Sequence, residues 1–112
     1  MENLDISKFK FLIEDLINNF VIKDYDKIER LKQNGSIPII DLINRINEYG
    51  EDFIPLPSYW IKDTLIYNIN NKRLDVYLPL WTKAGKSDLT LSLSCFFIND
   101  CPYIEINDLE VL

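Results

Sequence analysis

The sequence predicts an α+β fold: three N-terminal helices packed on one face of a four-stranded antiparallel meander. Three observations predict it. In residues 1–50 apolar side chains recur at three- and four-residue steps, the period of a helix with one buried stripe. From residue 64 onward the period falls to two, the signature of half-buried strands. Short polar turns separate the alternating runs, and connections of that length join antiparallel neighbours. The 112 residues are one domain's worth, read as a helical half (1–50), a connector (51–63) and a sheet (64–112).

The first helix is predicted over residues 5–22. Asp5 is its N-cap, and Ile6, Phe9, Ile13, Leu16, Ile17 and Phe20 form its stripe. A second helix runs from Asp24 to Asn34, capped by Asp24, with Tyr25, Ile28 and Leu31 inward. Asn34-Gly35 stops it, because glycine accepts the left-handed conformation beyond a helix end. Ser36 caps the third helix, with Pro38 in its first turn, where a missing N–H costs nothing. Its stripe is Ile39, Leu42, Ile43, Ile46 and Tyr49, and Gly50 ends it.

The connector contains Pro55 and Pro57, which disfavour helix at the residues before them. It also carries Phe53, Ile54, Tyr59 and Trp60 without periodicity. These either fold back over the core or form a contact surface, and a proline-stiffened aromatic loop loses little entropy on binding.

The strands follow. Thr64–Asn70 alternates Leu65, Tyr67 and Ile69 against Thr64, Ile66 and Asn68. Arg73–Trp81 places Leu74, Val76, Leu78 and Leu80 on one face, and Pro79 marks an edge or a bulge because it cannot donate to the ladder. Thr82–Asp88 is a loop around Gly85. Leu89–Ile98 is the longest strand. Asn99–Pro102 turns, and Tyr103–Asn107 returns with Ile104 and Ile106 inward. Leu109 and Val111 break that parity, so a bulge is expected near Asn107-Asp108. The other sheet face is assigned Ile66, Tyr77, Trp81, Ser92, Ser94, Phe96 and Ile98. That set is too apolar for open water and too polar for a closed core. It suits a partner, or a curved, cone-like sheet closing over a pocket.

Composition removes several function classes. A chain that is 47% hydrophobic and 12% aromatic buries a core without staples. Net charge is −6, the pI is near 4.5 and basic residues are scattered, so no nucleic-acid partner is expected. No apolar run is long enough to span a membrane, and no secretory leader is read at the start, so a cytoplasmic protein is expected. Cys95 and Cys101 are read as free thiols. With the turn at Asn99-Asp100, Cys95 faces residues 104–105 and not Cys101.

There is no histidine, no GxGxxG and no GxxxxGK[ST]. The usual general base, the histidine dyads, most zinc sites and nucleotide cradles are therefore missing. The carboxylates Asp63, Asp75, Asp88, Asp100, Glu105, Asp108 and Glu110 could in principle pair for glycoside or metal chemistry, but no spacing singles out a pair. No catalytic residue, no metal site and no cofactor is expected, and the chain is read as not an enzyme. In the loop TKAGKSD, Ser87 and Asp88 are turn-makers. The functional alternative is a recognition loop presenting Trp81, Lys83 and Lys86 with Asp88.

The segments LPLWT, GKSDLTLSL and IEINDLEVL resemble an uncharacterised bacterial domain family with an "LWT…GRSDLTL" signature and an Asp-Leu-x-Val-Leu ending. The resemblance covers residues 40–112, with Lys86 where the family has Arg and a loop one residue shorter before Gly85. Some members look like immunity proteins beside polymorphic toxin genes. The resemblance implies a non-catalytic protein that binds and neutralises a cognate bacterial toxin domain, such as a nuclease. The expected contact residues are Glu51, Asp52, Phe53, Tyr59, Trp60 and Asp63 on the connector, with Trp81, Lys83, Lys86 and Asp88 on the hairpin. The alternatives are a small-ligand-binding or enzymatic domain with Tyr67, Tyr77 and Trp81 lining a cone, or a structural homodimer through the outer sheet face.

Overall fold

Two long strands, β3 (Arg73–Thr82) and β4 (Gly85–Ile98), form the hairpin at the centre of the fold. The computed structural model describes residues 4–112. β4 pairs in turn with β5 (Cys101–Val111), and β2 (Leu65–Ile69) pairs with the first half of β3. The predicted antiparallel meander is therefore present. A fifth strand, β1 (Phe53–Ile54), adds to the other half of the same β3 edge, with Phe53 opposite Thr82 and Ile54 opposite Trp81. Two residues are too few to show a period, so the connector hid this strand. The sheet order is β1-β3-β4-β5, and the sheet curls.

Three helices precede the sheet: α1 (Lys10–Ile22), α2 (Tyr25–Arg30) and α3 (Ile39–Tyr49). Phe9, Ile13, Leu16, Ile17 and Phe20 meet Leu74, Val76, Leu78, Leu80, Leu91, Leu93, Ile104 and Ile106 in one buried cluster, with Ile28, Leu42 and Ile46. The fold is thus α+β, its core formed between the helical stripes and the alternating face of the sheet.

The helix ends depart from expectation for definable reasons. Asp5 does cap, accepting from the Ser7 N–H at 3.0 Å, but it opens a 3-10 turn (Ile6–Lys8) and not α1 itself. α2 stops at Arg30 and not Asn34, and Leu31 is exposed. Lys32 has φ +58°, its N–H donates to Glu29 O at 2.9 Å, and the Gln33 N–H donates to Ile28 O at 3.0 Å. This is a Schellman ending. α1 ends the same way at Lys23, φ +61°. A lysine in the left-handed conformation is strained, but it places a cation at the negative end of the helix dipole. Ser36 does not cap α3; Pro38 occupies that position with extended ψ.

Two register corrections follow from the pairing. Ile66 lies opposite Val76 and Asn68 opposite Leu74, so Ile66 points inward. It is Leu65, Tyr67 and Ile69, opposite Tyr77, Asp75 and Arg73, that face outward. The predicted loop 82–88 is mostly strand: Thr82 pairs with Gly85 across a two-residue turn, and Gly85 supplies φ +115°.

The bulge expected near Asn107-Asp108 is present, and of the edge or bulge expected at Pro79 the structure shows a break in register. β5 carries an extra residue at Asn107, which lets Leu91 face Leu109 after Leu93 faces Ile106. Near Pro79 the β3–β4 register also shifts. There the Ser87 hydroxyl donates to Leu80 O at 2.7 Å and accepts from the Leu89 N–H at 3.2 Å, satisfying backbone groups that the ladder leaves unpaired. Asn99 and Asp100 both have positive φ, as a two-residue hairpin turn requires. Cys95 accordingly faces Ile104, and both thiols are free.

The outer edge of β5 is covered by the α2–α3 connection. The Ile106 N–H donates to Gln33 O at 2.6 Å, and the Tyr103 hydroxyl donates to Lys32 O at 2.6 Å. Gly35 permits this approach: its φ is +57°, and a Cβ there would sit 2.8 Å from Ile106 O. Gly35→Ala adds left-handed strain to a backbone clash. It is expected to cost about 2–3 kcal/mol, read as a lower urea midpoint at unchanged slope.

Candidate functional site

The outer face of the sheet is where exposed aromatic side chains gather. Pairing places Trp81 beside Ile54 and Lys86 on this face. The 3-10 turn Trp60–Asp63 then folds the connector back, anchored by the Trp60 N–H donating to Pro57 O at 3.0 Å. This lays Tyr59 edge-on against Trp81, ring centroids 6.0 Å apart at 85°. It also brings Asp63 Oδ1 to 3.2 Å from Lys86 Nζ. Tyr59 remains 53% exposed and Trp81 is half-buried. The connector and the hairpin, two separate candidate surfaces in the sequence, thus form one patch of Tyr59, Asp63, Trp81 and Lys86. Along β3 the aromatic surface continues through Tyr77, edge-on to Tyr67 of β2 at 5.8 Å.

The other expected contact residues lie elsewhere. Trp60 is 1% exposed and Phe53 is 7% exposed, so both belong to the core and are withdrawn from the surface set. Large apolar rings next to a sheet end gain more by burial than by waiting for a partner. The indole N–H of Trp60 donates to Glu14 Oε2 at 3.0 Å, which is how so large a polar-tipped ring is buried without loss. Glu51 and Asp52 are exposed beside a hollow of about 170 Å³ that also touches Phe20 and Lys23. Lys83 is exposed in the β3–β4 turn. Asp88 does not fix that turn: its Oδ1 accepts the Tyr49 hydroxyl at 2.5 Å, linking β4 to α3. That hydrogen bond, with some burial, raises the Tyr49 pKa above its ordinary value.

A larger groove of about 460 Å³ runs between α3 and the ends of β4 and β5. Leu89, Leu109 and Val111 supply its apolar surface. Arg45 Nη1 donates to Asp108 Oδ1 at 2.6 Å and to Leu109 O at 3.2 Å, so the guanidinium and that carboxylate are engaged with each other. Nothing in the sequence pointed to this pair: the two residues are 63 apart, and Asp108 sits opposite Ser92 just after the bulge at Asn107. Among the described residues no three His, Cys, Asp or Glu side chains are grouped to hold a metal ion. No helix among them is long and apolar enough to cross a membrane.

Residues 17–112 match the family described as a domain of unknown function, DUF7668. The chain belongs to this family. No curated protein and no solved structure matches it. The DUF7668 match begins inside α1 and takes in α2, α3 and the whole sheet, so it includes every residue of the outer patch. It also reaches further toward the N-terminus than the resemblance read from the LWT and SDLTL segments.

Proposed function

We propose that this chain is a non-catalytic, immunity-type protein that binds and neutralises a cognate bacterial toxin domain. The observation that carries the reading is the outer patch. Tyr59 and Trp81 present rigid aromatic edges, flanked by the Asp63–Lys86 ion pair. Tyrosine and tryptophan are the residues most often found at the energetic centre of protein interfaces. The charge of −6 supports the same reading, since an acidic protein is drawn to a basic cleft such as that of a nuclease.

The test is to mix the purified protein with the product of an adjacent toxin-type gene and measure binding by calorimetry. A complex is expected below about 1 μM, weakening as salt rises because opposite charges are screened. Absence of a complex at micromolar concentrations would remove this reading.

A further inference from the structure

We infer that β2 is a self-association edge, along which two copies of this chain join antiparallel to continue their sheets. The two free margins of the sheet are treated differently. The margin at β5 is covered by Gln33, which accepts the Ile106 N–H, and by Gly35 packed against Ile106 O. β2 pairs with β3 alone, and among the described residues no backbone hydrogen bond reaches its other side. Alternate N–H and C=O groups of Leu65–Ile69 therefore face outward without a protein partner.

Open edges are normally blunted by lysine, proline or a bulge. β2 has none of these. Residues 64–70, TLIYNIN, contain no charged side chain and no proline, and the β2–β3 register is uninterrupted. Leu65 is 60% exposed and Tyr67 is 50% exposed on the outer face.

The occupant that fits is a second copy. An edge of unpaired backbone groups accepts another extended backbone, and this segment is self-complementary. With Tyr67 on a twofold axis, Leu65 of one copy lies opposite Ile69 of the other, Ile66 opposite Asn68, and Tyr67 opposite itself. No like charges meet along the seam, although each chain carries −6 overall. Five residues make a small seam, so the dimer is weak and concentration-dependent. The site differs from the proposed toxin-binding patch, which lies around Tyr59 and Trp81 at the other end of β3's edge, and it holds whether or not a toxin is bound.

Sedimentation equilibrium from about ten micromolar to about one millimolar tests it on the protein alone. A monomer–dimer equilibrium is expected, and it should strengthen with added salt, because screening relieves repulsion between two acidic chains. A foreign basic partner would show the opposite salt dependence. Tyr67→Lys places two ammonium groups at the axis and is expected to weaken association at least tenfold, and Leu65→Lys likewise. Ile98→Lys, exposed at the end of β4 and separated from the seam by β3, is expected to leave it unchanged. Circular dichroism confirms that each variant is folded. A protein that stays monomeric across the range, or Tyr67→Lys and Leu65→Lys variants that associate like the parent, would overturn the inference.

Discussion

Replacing Trp60 by alanine is expected to lower stability by about 4 kcal/mol, the cost of removing a fully buried indole from a packed core. Trp60 is the largest fully buried side chain, and it ties the connector to α1 through its hydrogen bond to Glu14. Thr64 reinforces the same turn, its hydroxyl donating to Trp60 O at 2.9 Å. Trp60→Phe keeps most of the apolar burial but loses the indole donor and leaves a small void, so about 2 kcal/mol is expected. Urea titration of the three proteins gives both numbers. Tyr59 and Asp63 flank the residue, so the alanine variant is also expected to bind a partner of the outer patch less tightly. Equal midpoints for the parent and the alanine variant would mean that the connector does not pack on the core.

Stability is expected to fall steeply between pH 9 and 12, and Cys95 is the main cause. Burial, helped by the negative charge of Asp75, pushes its thiol up to about 12 from an ordinary 9.0. In that window the unfolded chain has released the proton and the folded chain retains it. The folded state binds more protons, so unfolding becomes easier as pH rises. A gap of about three pH units corresponds to about 4 kcal/mol at its full extent. Tyr25, Tyr49 and Tyr103, all raised above 10.0, act in the same direction at the upper end. Below pH 9 none of these groups contributes. Denaturation midpoints measured at intervals from pH 7 to 11 should bend downward near pH 9. Cys95→Ala should flatten the bend while leaving the tyrosine contribution. Iodoacetamide on the folded protein should label exposed Cys101 and spare Cys95.

The sheet was legible in the sequence because two alternating runs and their turns specify pairing locally. The parity break between Ile106 and Leu109 located a bulge, and Pro79 marked another irregularity. The helix ends were less legible. Lys23 and Lys32 take a conformation that usually announces itself through glycine, so α2's stop was displaced to Gly35. The face of β2 was also misread: Leu65, Ile66, Tyr67 and Ile69 are all apolar or aromatic, and only pairing with β3 decides which of them point inward. For the candidate site, residue types were readable but their grouping was not. Tyr59 and Trp81 are separated by the whole of β2 and most of β3, and their contact depends on a 3-10 turn that carries no sequence period. The same turn buries Trp60, for which the sequence had favoured core packing over a contact surface without excluding either.

The most direct measurement of the central claim is the affinity of the neighbouring gene's product for the parent protein and for Trp81→Ala. Trp81 is half-buried on the outer face, so its loss should leave the fold intact while weakening the complex at least tenfold. Phe11→Ala, which truncates an exposed aromatic on α1, should bind like the parent. A Trp81→Ala protein that is folded and binds as tightly as the parent would contradict the account.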